Sequence, residues 1–226
     1  MAVLIRPNSS FALDAIISLD AITYGGGNIW YDRSVSPGDN AILTDVTTAN
    51  TSEGYQVLSF NGSTSVATVA NNGLDFSTGH TIMMAIQPLE SDGNRRNPYN
   101  QAYGGGGTWT HENNGTINWY FGNSGINGGS YIGFTSGFTV VQNEWAIVTG
   151  TRSTTNAYWY KNGVLTNSTT HNYPVVNTGT FDVLIGDGYT TNYLGNIGFC
   201  FVWDRELSST EILTYYDRTK FRFGLS

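Results

Sequence analysis

Residues able to do chemistry are few and scattered. Carboxylates come first, because retaining hydrolysis of a glycosidic bond needs two carboxyl groups about 5–5.5 Å apart. On a strand, residues i, i+2 and i+4 share a face, so such a pair would be written Glu-x-Asp-x-Glu, or the same with one bulge residue. No such trio occurs, and the glutamates Glu53, Glu90, Glu112, Glu144, Glu206 and Glu211 lie far apart or at the start of a helix. Asp204 and Glu206 flank Arg205, which predicts a structural ion-pair corner. Cys200 sits inside an apolar run and reads as a buried, inert thiol. His80, His111 and His171 lack ligand spacing such as His-x-x-x-His, so no zinc site is expected. The glycines from Gly104 to Gly107 are followed by neither a lysine nor a helix, and read as a flexible turn rather than a phosphate loop. The expectation is a non-enzymatic chain with no catalytic residues and no cofactor.

What remains is binding chemistry. Sugar recognition needs aromatic faces to stack on rings, with amides and carboxylates to meet hydroxyls. Tyr99, Tyr103, Trp109, His111 and Asn113 fall in one loop-rich stretch, and Tyr189, Asn192 and Tyr193 in another, after a strand end. Tyr103, Trp109, His111, Tyr189, Asn192 and Tyr193 are the candidate carbohydrate contacts. The same residue types would also suit a protein–protein interface.

The elements that position these residues are short. The chain has 226 residues, 12% charged and 14% aromatic, with 28 glycines. Few charges and many aromatics exclude a disordered acidic chain and leave material for a sizeable core. The net charge is −7 and the cations form no cluster, which argues against nucleic acid and anionic lipid as partners. No run of about 20 apolar residues is present, so no spanning helix is expected. One cysteine and a start lacking a long apolar core predict a protein made in a cytoplasm and folded without disulfides. The Asn-x-Ser/Thr sequences at Asn8, Asn50, Asn61, Asn114 and Asn167 read as polar turns.

Turn signals recur, among them Asn61-Gly62, Asn114-Gly115 and Asn162-Gly163, and strand-like runs lie between them. Residues 56–60 and 65–70 read as paired strands around Asn61-Gly62. Residues 81–86, 116–121, 131–134 and 145–149 read as further strands, with 116–121 and 131–134 paired. Residues 156–160 and 164–167 form a hairpin about Asn162-Gly163, which tolerates positive φ. Residues 197–203 are apolar on both faces, as in a covered central strand. Ser208 and Glu211 have capping-box spacing before a helix ending near Thr219, with Ile212, Tyr215 and Tyr216 on one face. One domain, 1–226, is expected: an all-β, two-sheet antiparallel β-sandwich with one short C-terminal helix.

Particular residues carry a family resemblance. Leu19-Asp20-Ala21 with Tyr24 and Trp30-Tyr31-Asp32-Arg33-Ser34 resembles the entry segment of laminin-G-like domains of the concanavalin A-like lectin/glucanase superfamily. Phe60-Asn61-Gly62 is similar to that family's Phe-Asn-Gly hairpin. Trp145, Tyr158, Tyr160 and Asn162-Gly163-Val164 resemble its next hairpin. Leu184-Ile185-Gly186, Gly195-Asn196-Ile197 and the run from Val202 to Ser208 with Glu211-Ile212 resemble its closing strand and helix. The resemblance spans about residues 11–219; Ser91 to Gly137 departs from it and reads as Gly/Asn-rich loops or an edge hairpin. The ending Lys220-Phe221-Arg222-Phe223-Gly224-Leu225 resembles the tail of laminin-G-like structural proteins of tailed bacteriophages.

The resemblance implies a concanavalin A-like jelly roll and a virion protein made in the host cytoplasm, namely a capsid decoration protein with other virion proteins as partners. The alternative is a lectin-like domain of a phage fibre or appendage recognising host glycans. A laminarinase-like hydrolase is the third reading. Some laminin-G-like domains bind calcium at a rim. Asp187, Asn192 and Asn196, or Asp32 and Asp39, would supply it here, unless they serve only as Asx turns. Phe221, Phe223 and Leu225, with Val3, Leu4 and Ile5, either dock on a neighbouring subunit, as in a homotrimer, or cover their own sheet.

Overall fold

The computed structural model describes residue 12 and residues 14–71, 73, 74, 76, 78–89, 93–173 and 181–226. The strands in chain order are β1 (Ile17–Asp20), β2 (Ile29–Trp30), β3 (Ala41–Thr44), β4 (Thr47–Asn50), β5 (Gln56–Asn61), β6 (Val66–Val69), β7 (His80–Pro88), β8 (Arg96–Gln101) and β9 (Gly107–His111). They continue as β10 (Thr116–Gly122), β11 (Tyr131–Thr139), β12 (Ala146–Arg152), β13 (Asn156–Lys161), β14 (Val164–Thr170), β15 (Val183–Ile185), β16 (Thr191–Asn192) and β17 (Leu194–Trp203). Helix α1 (Ser209–Thr219) follows, then a 3-10 turn (Lys220–Phe223). One sheet runs β14-β13-β12-β7-β17-β5-β4, with β1 also on β17. The other runs β11-β10-β9-β8-β15-β6-β3-β2, with β16 parallel to β8. Apart from that short parallel pair, the expected antiparallel sandwich is what forms.

β17 is the centre of its sheet and is buried along nearly its whole length. Ile197, Cys200 and Val202 face the core between the sheets, while Phe199, Phe201 and Trp203 face the opposite side. The register against β7 slips between Ile197 and Phe199. Gly198 sits at this bulge, where an added Cβ would lie 2.4 Å from the Phe223 ring. The outward face would be exposed apolar surface without a third layer. α1 supplies it with Ile212, Tyr215 and Tyr216, and the C-terminal turn adds Phe223. Ser208 caps α1 as its spacing predicts: the Glu211 amide donates to Ser208 Oγ, and the Ser208 amide donates to Glu211 Oε2.

The tail covers its own sheet. Arg222 donates to both oxygens of Asp20 at 2.6 and 3.0 Å, and the two side chains are 1% and 0% exposed. Phe223 is buried, whereas Phe221 remains 43% exposed. Val3, Leu4, Ile5 and Asn8 lie outside the described residues.

Several expectations need correction. Residues 56–60 and 65–70 do not pair, because β5 and β6 belong to different sheets. Asn61 Oδ1 accepts from the amides of Ser63, Thr64 and Ser65, and the chain arches across the sandwich. The arch lets Leu58 and Phe60 face Ala67 and Val69 through the core; a hairpin would leave both apolar faces on one side of one sheet. Asn50 and Asn167 lie in strands rather than turns. Arg205 does organise an ion-pair corner, but with Asp14 at 2.9 Å and Glu211 at 2.8 Å, not with Asp204 or Glu206. The Gly104–Gly107 segment is a packed π-helical turn (Ala102–Gly106) entering β9, not a flexible one, and Gly104, Gly105 and Gly106 are buried. The β10–β11 and β13–β14 hairpins form as expected, the latter with Asn162 at φ 51° and Gly163 at φ 77°. Cys200 is fully buried, and burial pushes its thiol far up, away from thiolate chemistry.

Two stability tests follow from this packing. Arg222→Met should destabilise the fold by about 3–5 kcal/mol in urea unfolding, because it leaves the Asp20 carboxylate buried and unpaired. The Asp20→Asn/Arg222→Met double variant should recover part of that loss. Burial also holds His80, His111 and His171 below the ordinary value of 6.5; for His80 the charge of its cross-strand partner Arg152 adds to the effect. The unfolded chain therefore takes up protons that the folded one refuses, so stability is full above about pH 6.5 and falls as the pH drops below it. The melting temperature should drop between pH 7 and pH 5. His80→Phe, which keeps a ring stacked on Phe76, should flatten that drop.

Candidate functional site

Strand alternation builds the site on the outer face of the β8–β9–β10 ladder. Trp109 pairs with Trp119, and both point inward, where they meet Trp159 at centroid distances of 4.9 and 5.9 Å. The intervening residues must therefore point outward. Thr108 pairs with Tyr120, and Thr110 with Asn118, so these four side chains stand abreast on the outer face.

Three segments wall this floor. The π-turn carries Tyr103, and the segment before β11 carries the loop that ends at Tyr131. The loop and the turn are locked together: Ser124 N donates to Gly104 O at 2.6 Å, and an added Cβ on Gly104 would fall 1.9 Å from Gly128 O. Opposite, the loop carrying Tyr189 is pinned because the amide and hydroxyl of Thr190 both donate to Asn97 Oδ1, at 2.6 and 2.7 Å. The Tyr103 ring then lies 5.1 Å from Tyr131 and 4.9 Å from Tyr189, both edge-on. Arg95, Tyr103, Thr108, Thr110, Tyr120, Tyr131 and Tyr189 together line a pit of about 210 Å³. Tyr131 and Tyr189 are 49% and 63% exposed, so their rings are open to a ligand.

One edge of the pit is charged and internally neutralised. Arg95 Nε and Nη2 donate to Glu112 at 2.7 and 3.2 Å, and Nη2 also donates to the Tyr120 hydroxyl. Asn118 Nδ2 and the Tyr120 hydroxyl donate to Glu112 Oε1. The hydrogen bond to Glu112 raises the Arg95 guanidinium pKa, and burial raises that of the Tyr120 phenol. A second hollow of about 380 Å³ adjoins, lined by His111, Glu112, Asn113, Asn114 and the 139–142 segment. Glu112 is the one carboxylate lining either hollow among the described residues. The arrangement can stack and hydrogen-bond a polyol; it does not present the paired carboxyls of a glycosidase.

The six candidate contacts divide. Tyr103 and Tyr189 are in the pit. Trp109 and Tyr193 are fully buried, so neither ring can stack on a ligand: inward strand alternation takes Trp109 into the core, and Tyr193 joins the same core cluster. Tyr99 is in the core as well. His111 is also buried and faces the Val140 carbonyl at 3.2 Å. Asn192 lies in β16, where its carbonyl accepts from Arg96 Nη1 at 2.6 Å. Arg95, Thr108, Thr110, Glu112, Asn118, Tyr120 and Tyr131 were not among the sequence candidates. The signal for the strand members was the alternation Thr108-Trp109-Thr110 and Asn118-Trp119-Tyr120, in each of which a tryptophan stands between two residues with polar groups. Of the possible calcium ligands, Asp32 accepts from Ser18 N, Ser34 N, Ser34 Oγ and Gly38 N, the Ser34 amide closing an Asx turn, and Asp187 accepts from the amide of the next residue, Gly188. Asn196 Nδ2 donates to Gln87.

No curated protein sequence matches the chain. Solved structures do match in fold. The binding domain of Paraclostridial Mosquitocidal Protein 1 superposes with a TM-score of 0.74 at 16% identity, over 91% of this chain and 52% of that one. The receptor binding domain of botulinum neurotoxin D gives 0.69 at 18% identity, over 91% and 52%. A botulinum neurotoxin type C structure, described with cell entry dependent on two ganglioside molecules, gives 0.68 at 16% identity, over 91% and 51%. The chain thus spans about half the length of these neighbours, which are toxin binding domains and not phage proteins. A family model described as the concanavalin A-like lectin/glucanases superfamily matches residues 60–213, well over half of the sequence. On that match, joined to the two-sheet jelly roll, the chain belongs to the concanavalin A-like lectin/glucanases superfamily.

Proposed function

We propose that the chain is a non-enzymatic carbohydrate-binding domain that holds a sugar ring between Tyr103, Tyr131 and Tyr189. The observation that carries this reading is the tyrosine triad, with Tyr131 and Tyr189 open to solvent, beside an internally neutralised Arg95–Glu112 pair. Aromatic faces supply apolar contact area, and the phenol hydroxyls of the triad with the Arg95 guanidinium meet sugar oxygens. The ganglioside named for the type C neurotoxin structure supports glycan over capsid as the partner. This reverses the order expected from the sequence, in which capsid decoration came first and the lectin-like role second. The phage-like tail supplies the setting we propose, a virion appendage recognising host surface glycans. Calcium has no role in this reading.

A glycan array probed with the folded protein tests it. Tyr131→Ala and Tyr189→Ala should each weaken binding about tenfold, the equivalent of about 1.4 kcal/mol, with an unchanged melting temperature because both rings are exposed. Trp109→Ala should instead destabilise the fold by about 3–5 kcal/mol. Binding to no glycan, or binding that ignores both tyrosine variants, would sink the proposal.

A further inference from the structure

Resting on the carbohydrate reading, we infer that the site takes an oligosaccharide of at least two consecutive rings, one among the tyrosines and the next in the asparagine-lined hollow beyond the Arg95–Glu112 pair. The tyrosine pit, at about 210 Å³, falls below the roughly 300–1,000 Å³ usual for a pocket that encloses a ligand. The second hollow is larger, at about 380 Å³, and the Arg95–Glu112 pair joins its lining to that of the first. Arg95 lines the pit, and Glu112, its partner at 2.7 Å, lines the hollow. The same Glu112 carboxylate accepts from the Tyr120 hydroxyl of the pit. From Thr108 to Glu112 the floor advances four residues, roughly 13 Å at the rise of a strand.

The two halves differ in chemistry. The pit is aromatic and suits the apolar face of a ring. The hollow is lined by Asn113, Asn114, Gly115, Val140 and Gln142. Asn114 Oδ1 already accepts from the amide and hydroxyl of Thr116, and Gln142 Nε2 donates to the Leu89 carbonyl. Asn113 is exposed, and its amide offers a donor and an acceptor from one group, as adjacent hydroxyls require. Arg95 spends Nε and Nη2 on Glu112 and Tyr120, which leaves Nη1 at the seam, placed to donate to an oxygen of the linkage. Its side chain is 43% exposed, so that nitrogen is reachable. Asn113 is exposed at the tip of the β9–β10 turn and can be changed without touching the core.

Isothermal titration with β1,4-linked glucose, galactose and N-acetylglucosamine series and an α2,3-sialylated galactose series, each from one to four rings, separates this inference from the reading beneath it. For the series that binds, the dimer should bind at least tenfold more tightly than the single sugar. Asn113→Ala should reduce affinity for the tetramer several-fold and leave the single sugar unchanged, whereas Tyr189→Ala should weaken both. Equal affinity for one ring and four, or an Asn113→Ala effect of the same size at every length, overturns the two-ring site and leaves carbohydrate binding standing. No binding at any length overturns carbohydrate binding and this inference with it.

Discussion

β17 must be buried on both faces, and most of the architecture answers that requirement. Its inner side chains, Ile197, Cys200 and Val202, need the opposing sheet. Its outer side chains, Phe199, Phe201 and Trp203, need a cover that no strand can provide, so the chain returns as α1 and its terminal turn. The bulge at Gly198 sets which residues fall on which side and makes room for the Phe223 ring. The cover is then fastened by Arg222 to Asp20 at the end of β1, itself a neighbour of β17. A buried ion pair is a poor source of net stability, since desolvation offsets most of the attraction. Its value here is positional: only one placement of the tail satisfies both charges.

The same alternation that fills the core also makes the surface site. Each tryptophan of β9 and β10 that points inward forces its neighbours outward, and the ladder brings those neighbours level. Thr108, Thr110, Asn118 and Tyr120 thus form a flat polar floor held by a rigid aromatic core. Loops add the tyrosines, and each loop is tied by hydrogen bonds rather than left free. A site preorganised in this way loses little conformational entropy on binding. Glu112, surrounded by donors from Arg95, Asn118 and Tyr120, acts as a structural anchor for the floor.

Neighbours at 16–18% identity share the sandwich and about half of their length with this chain. At that distance the likeness concerns the fold, and function resides in what the loops present. In this chain the stretch from Ser91 to Gly137 contains much of the pit and the hollow. β5, the β13–β14 hairpin, β17 and α1 instead hold the sandwich together.

The amino-acid sequence alone determined the two-layer class, the double-faced burial of residues 197–203, the Ser208–Glu211 cap and the Asn162-Gly163 turn. These depend on local period, capping chemistry and φ preference, which act over a few residues. It also determined the absence of a strand-spaced carboxylate trio. Long-range packing set the parting of β5 and β6 into opposite sheets, the reach of Arg222 to Asp20, and the pairing of Arg205 with Asp14 and Glu211. It also decided that Trp109 and Tyr193 are core while Tyr131 and Arg95 join Tyr103 and Tyr189. Those outcomes depend on which strands become neighbours, and register between segments far apart in the chain is set by the sum of core packing rather than by any local signal.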